Sequence, residues 1–401
     1  MTDSELIEYA VYHWVFGKDY KLPGLNANGS VAHDFFERYP AKSDYQAFSD
    51  QFSLIKNDQC LKDADSLMLC SGGVDSSLLA YFRSHNLNSR PQSFIHTSYV
   101  NHNKNDLQKF INVLELCPSI AFVCSIDQAE YIAGIELLSK NNFYQNTYAP
   151  TLAYALGTLK EYRFTSVITG SGPDELFYGM EKYSWDIFEK LSDEPIAKAL
   201  EKLDPRYNLA AYARLFNSKG QDLYGEVVRK RRALYESIAD LRMNIFDSQR
   251  VLAYATVTAQ HMQLFNKLAD IFHLEHRAPY LNEQLVHLAL TTPLVELVDI
   301  GVDKRVEIGK KYLKTYLLQY FSRDHVHGKK IGFHAPTTQF VYEYSKSFLL
   351  NNIDYLPCWL DKDKVLRELD CRFNEIGPPT DYFLYSLVNV IKYRMENSND
   401  Y

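Results

Sequence analysis

The sequence predicts an α/β protein: a parallel twisted sheet with helices on both faces, followed by a mainly helical second half. Three observations predict it. Short apolar runs alternate with helical patterns between residues 66 and 169, which implies parallel strands joined by helical crossovers. Two of those runs end in Gly/Ser-rich turns that restart as helices. Beyond Ser184, long helical patterns follow one another without intervening strands. The 401 residues suit two domains, or one large α/β domain with a helical partner, at roughly 150 residues per domain. The expected division is an N-terminal helical extension over 1–60, an α/β core over 61–190 and a mainly helical part over 191–401.

In chain order, a short helix is expected at Ser4 to Phe16, a Pro/Gly/Asn stretch at Leu22 to Ser30, and a helix at Tyr45 to Ile55. Leu67 to Cys70 suits a buried parallel strand. Leu78, Leu79 and Phe82 recur at helical spacing, so a helix starts near Asp75. A strand at Ser93 to Thr97, a helix at Asp106 to Leu116, a strand at Ile120 to Cys124, a helix at Pro150 to Glu161 and a strand at Ser166 to Thr169 complete the alternation. The helical half comprises Pro195 to Leu203, Tyr207 to Phe216, Val228 to Leu241, Gln249 to Ile271, Leu281 to Thr291 and Glu307 to Tyr320. It ends with Asp381 to Met395, behind the breaker Gly377-Pro378-Pro379.

Composition excludes several classes. A formal net charge of -7 gives no electrostatic reason to expect nucleic acid or an anionic membrane as a partner. Lys310-Lys311 and Lys329-Lys330 are too short to form basic patches. No window of about 18 apolar residues occurs, and the first residues carry acids where a signal peptide needs bases. The 6 cysteines show neither a CxxC pair nor zinc spacing, so they read as reduced thiols and the compartment as cytoplasmic. The 30 tyrosines carry no function in this reading.

The chemistry lies at the strand-to-helix turn 71–77, which reads SGGVDSS. Ligands meet α/β folds at such turns. Gly72 and Gly73 let the backbone approach an anion, and the first helical turn offers unpaired N–H groups at the positive end of the helix dipole. Ser71, Ser76 and Ser77 add hydroxyl donors. Asp75 would repel a phosphate, so it reads as a magnesium-side or helix-capping residue. Residues 166–183 repeat the logic as SVITGSGPDELFYGMEKY: a strand, a Gly-rich turn, and the acidic pair Asp174 and Glu175. A carboxylate facing a phosphate cradle across such a crevice is how a protein holds magnesium against a triphosphate.

At these two turns the sequence resembles the synthetase domain of the asparagine synthetase family, which belongs to the PP-loop ATP pyrophosphatases and is related to the β-lactam synthetases. The family's SGGxDSS is matched in full by Ser71 to Ser77. Its GEGSDELFGGY is matched by Gly170, Gly172, Asp174, Glu175, Leu176, Phe177, Gly179 and, after a longer spacing, Tyr183. A segment like ExRxPFLDxxLVxxAL is met by EHRAPYLNEQLVHLAL from Glu275 to Leu290, with Tyr280 and Asn282 substituted. A KYLL pattern followed by PKxGFxxP is resembled by Lys311-Tyr312-Leu313 and by Lys330, Gly332, Phe333 and Pro336. Four segments in the same order make the resemblance specific.

The resemblance implies an adenine nucleotide α-hydrolase-like fold and the cofactors ATP and Mg2+. Ser71, Gly72, Gly73, Asp75, Ser76, Ser77, Gly170, Gly172 and Lys330 would bind ATP and its pyrophosphate. Asp75 and Asp174 would ligate the metal, and Lys330 would compensate charge on the α-phosphate and the leaving pyrophosphate. Adenine is expected around Phe94 to Thr97. Arg277 or Lys267 would bind a substrate carboxylate, with Ser171 and Tyr178 also at the substrate.

Two departures qualify the match. Glutaminase domains of the family start at a cysteine after the initiator methionine, whereas here Thr2 follows Met1 and about sixty residues precede the cradle, so the reading is of a synthetase half without a glutaminase. Ser171 stands where asparagine synthetases carry a glutamate and β-lactam synthetases a tyrosine, a position associated with the incoming nitrogen. Serine is a poor base. Glu175, Glu181, Tyr178, His276 and Glu275 are the candidate replacements, with Glu175 and Glu275 preferred and placed beside Lys330 as catalytic residues.

The reading is therefore an ATP-dependent amide-forming ligase. It adenylates a small-molecule or peptide carboxylate, releases pyrophosphate, and couples the acyl group to ammonia or an amine in a specialised biosynthetic pathway. A separate ammonia source and a homo-oligomer are compatible with it. The alternatives are a PP-loop enzyme amidating or thiolating a nucleoside or sugar, and a catalytically silent ATP-binding partner subunit.

Overall fold

The computed structural model describes residues 1–12, 15, 21–37, 44–87, 90–100, 104–142, 147–179, 185–204, 213–301, 306–328, 337–371 and 378–397. Its centre is β1 (Ser66–Leu69), where Ser66, Leu67 and Met68 are buried. Both faces are covered, which is why the run is apolar rather than alternating. On one side β1 pairs in parallel with β2 (Gln92–Tyr99), and β2 with β3 (Ser119–Ile126). On the other side it pairs in parallel with β4 (Ser166–Ile168), which pairs with β5 (Glu275–Arg277). The order is β3-β2-β1-β4-β5. The chain moves outward one way from β1 and then returns to build the other side, so a crevice opens at the carboxyl ends of β1 and β4.

The fold class is as expected, and its departures have local causes. β5 lies in the half expected to be free of strands. Its sequence, EHR, has no apolar run because only the central residue turns inward. Residues 307–320, expected as one helix, divide into a strand at Val306–Ile308 and a helix at Lys311–Leu317. The helix Gln128–Lys140 was not expected, although Asp127 and Glu130 form a reciprocal capping box at its start. The helix expected from Gln249 begins at Ile245, behind an Asn244 cap, and passes through a π-helical turn at Tyr254–Thr258 before continuing over Ala259–Ile271. The terminal helix starts on Pro378 itself, as proline permits in a first turn. The helix expected at Tyr207 to Phe216 falls largely outside the described residues.

Arg83, fully buried on the helix Val74–Asn86, ties the sheet together. Its guanidinium donates to the carbonyls of Ser66 at 2.6 Å, Asp63 at 2.9 Å and Ser93 at 3.4 Å, so the charge of the group is spent on backbone acceptors. The first helix, Asp3–Tyr12, packs on the helical half rather than on the sheet. Asn389 donates to Tyr9 Oη at 2.7 Å, Lys230 reaches Glu8 at 2.9 Å, and the Arg231 guanidinium lies 4.1 Å from the centre of the Tyr12 ring. No helix among the described residues is long and apolar enough to cross a membrane.

Candidate active site

The crevice holds a cavity of about 360 Å3, within the range of small-molecule sites. One end is polar and walled by Ser71, Asp75, Ser76, Asp174 and Glu175. The other carries Leu69, Ile95, Leu152, Phe265 and the Tyr148 and His261 rings, which meet edge to face at 5.9 Å. An anion at one end and a flat apolar group at the other are what such a cavity accommodates.

The polar end is built by the strand-to-helix turn after β1. Ser71 Oγ accepts from Gly73 N at 3.3 Å, and Ser76 Oγ donates to the Gly73 carbonyl at 3.2 Å. Gly72 has a φ of +74°, and a Cβ there would lie 2.4 Å from the Phe110 nitrogen. Its lack of a side chain thus serves the turn and the approach of the helix Lys104–Leu116 rather than contact with a ligand. Ser77 turns inward to His325, its Oγ 2.9 Å from Nε2.

Across the crevice, Lys310 joins the two turns. Its buried ammonium is 2.6 Å from Asp75 Oδ2 and 2.6 Å from Asp174 Oδ1. Burial works against the charge, but the two carboxylates outweigh it and hold the pKa above the ordinary lysine value. A Cβ on Gly179 would lie 2.0 Å from Lys310 Cε, so this glycine makes the room through which the lysine enters. Glu175, also in the cavity wall, behaves oppositely. Burial first, and then the neighbouring Asp174 charge, push its carboxyl up to about 8, while Thr258 donates to it at 3.0 Å. Cys70 lines the wall as well, but burial pushes its thiol up to about 11, which leaves no thiolate near neutrality.

Against this geometry, a family model of asparagine synthase matches residues 52–369. The chain belongs to the asparagine synthase family. Asparagine synthases are ATP-dependent C–N ligases. No curated protein matches the chain at a significant level.

Within this asparagine synthase domain, the expected site residues separate into groups. Ser71, Asp75, Ser76, Gly170, Ser171, Gly172, Asp174 and Glu175 line one cavity, as do Ile95 and Thr97 from the expected adenine strand. Gly72, Gly73 and Ser77 belong to the same strand-to-helix turn but do not line the cavity. Glu275 and Arg277 are not brought there. They flank His276 on β5, and strand alternation turns them away, so that they pair with each other on the exposed face. Neither Lys267 nor the buried Tyr178 lines the cavity. Lys330 and Glu181 lie outside the described residues.

The two substitutions in the segment 275–290 have visible work. The Tyr280 hydroxyl, which the family's phenylalanine lacks, donates to the Asp75 carbonyl at 2.9 Å. Asn282 still caps its helix, accepting from Gln284 N at 3.0 Å.

Sequence reasoning missed Lys310, Tyr148, His261 and Phe265. Lys310 stands 235 residues from Asp75, and read on its own it is half of a short basic pair.

Proposed function

We propose that this chain activates a carboxylate by adenylation, releasing pyrophosphate, and couples the acyl group to ammonia or an amine with loss of AMP. The observation that carries the reading is Lys310 held between Asp75 and Asp174, beside the Ser71–Ser77 cradle. A positive charge fixed at the point where a phosphate chain would lie stabilises charge that develops as pyrophosphate leaves. The cradle's hydroxyls and helix N-terminus would hold the phosphates, and the apolar end around Ile95, Leu152 and Phe265 the adenine.

Asp75 and Asp174 also fit magnesium. They are hard oxygen donors converging on one cation, and Mg2+ usually takes one or two carboxylates and completes its shell with phosphate oxygens and water. When bound, the metal would neutralise the β- and γ-phosphate oxygens.

Ser171 in place of a glutamate supports an acid and amine other than aspartate and ammonia, and so a specialised biosynthetic pair. The protonated Cys70 thiol counts against a thiolating enzyme. The ordered Lys310 bridge between Asp75 and Asp174 counts against a silent subunit.

The test is ATP–pyrophosphate exchange with a panel of free carboxylic acids. Exchange dependent on one acid, with AMP as the nucleotide product once an amine is added, is the expected result. Formation of ADP and phosphate, or exchange that requires a nucleoside, would overturn the reading.

A further inference from the structure

Four side chains form a hydrogen-bond chain that starts on the cavity wall at Ser171 and Thr169 and runs behind it through His276 to Asn266, and its direction is set by that far end. Asn266 Oδ1 lies 2.8 Å from His276 Nδ1, His276 Nε2 lies 2.8 Å from Thr169 Oγ1, and Thr169 Oγ1 lies 3.0 Å from Ser171 Oγ. An amide oxygen only accepts, so Nδ1 carries a proton and donates it to Asn266. Desolvation pushes His276 down to about 3, so the ring is neutral and Nε2 is a bare acceptor. The Thr169 hydroxyl therefore donates to Nε2, and its oxygen accepts from Ser171. Having given up its one proton, Ser171 Oγ faces the cavity with lone pairs alone.

The frame of this chain is rigid. Thr169 N donates to the Arg277 carbonyl at 2.9 Å, which continues the β4–β5 ladder and fixes Thr169 against His276. Phe265 packs on the His276 ring, with centroids 5.3 Å apart.

We propose that Asn266, His276 and Thr169 are positioning residues that make Ser171 Oγ an obligate acceptor for an N–H of the attacking amine. This deepens the adenylating-ligase reading and rests on it. The donor follows from the chemistry of the reactants. A carboxylate brings only acceptor oxygens, which an acceptor-only serine repels, whereas an amine brings donors. The chain orients the nitrogen and does not store its proton, because a neutral imidazole whose only exit is an amide oxygen has nowhere to pass one.

The test uses the full chain and two variants of the central link. Thr169→Val removes the hydroxyl at nearly constant shape, and Thr169→Ser restores it. With hydroxylamine as the nucleophile, and the carboxylate that supports exchange, Thr169→Val should raise KM for hydroxylamine about tenfold, the worth of one neutral hydrogen bond. It should leave pyrophosphate exchange within about twofold, and Thr169→Ser should restore wild-type behaviour. Equal losses in exchange and transfer, or a raised KM for ATP with hydroxylamine unaffected, would overturn the proposal. The latter result would assign Ser171 to the ribose hydroxyls.

A second readout is independent of activity. Nitrogen-15 NMR of the His276 ring should show the neutral Nδ1–H tautomer from about pH 5 to about pH 9. An Nε2–H tautomer or an imidazolium at neutral pH would overturn the chain. Should no acid support exchange, the adenylation reading fails, and the tautomer alone decides the direction of the chain.

Discussion

Lys310 shows how one side chain can serve stability and chemistry together. Its ammonium cancels two carboxylates drawn from turns on different strands. Lys310→Met would leave Asp75 buried beside Asp174 with no counter-charge. The expected cost is about 3 kcal/mol, at the lower end for a broken buried pair because Asp174 is half exposed and solvated. Pyrophosphate exchange should be lost as well. Asp174→Asn keeps the shape of the site and removes one charge, so the fold should survive by circular dichroism while exchange falls about a hundredfold. Full exchange in Asp174→Asn would sink the metal assignment. Glu175 gives a pH signature. Its carboxyl titrates near 4.5 when unfolded and near 8 in the fold, so the folded chain binds the extra proton between those values. The contribution of Glu175 to stability should therefore be fully present below the lower value, fall as pH rises towards the higher one, and level off above it. Glu175→Gln, neutral throughout, should flatten that part of a plot of Tm against pH.

Elements differ in how clearly the chain announces them. The strands β1, β2 and β4 and the cradle helix were legible because both faces of the sheet are covered there, which favours apolar runs, and because glycine and serine mark the turns; β3 was legible from its apolar residues although Ile120 and Val123 stand exposed at the sheet edge. β5 was not, since three residues on a sheet edge need no apolar run. The eight cavity-lining residues expected from the two turns were legible for the same reason as the turns. Lys310 and the aromatic end were not, because long-range packing brings them in and no spacing in the chain encodes it. The cradle also depends on its neighbour. Gly72→Ala should force the helix Lys104–Leu116 away from the turn and strain a left-handed backbone, at a cost of about 1–3 kcal/mol, with exchange falling in step. Denaturant melts and exchange assays on the same sample check both.

For the whole molecule, the first helix belongs to the far half of the fold. Tyr9 is buried and bonded to Asn389, and it does not line the cavity. Tyr9→Ala should lower stability by about 3–5 kcal/mol, as for other buried aromatics, yet leave exchange unchanged at temperatures where the variant stays folded. A variant that kept its Tm but lost exchange would show a coupling between the two halves that these contacts do not supply. The site itself is assembled from residues near 71, 170, 265 and 310, so it exists only when both halves are folded against each other.

The π-helical turn at Tyr254–Thr258 has a consequence for how this site tolerates length changes. It takes up one extra residue within an otherwise regular helix: Thr258, which holds Glu175, lies at its end, and His261, Phe265 and Asn266 follow it. Deleting one residue there should restore a regular helix and leave His261, Phe265 and Asn266 on their present face, whereas a deletion in the regular stretch Ile245–Ala253 would rotate everything beyond it by about 100°.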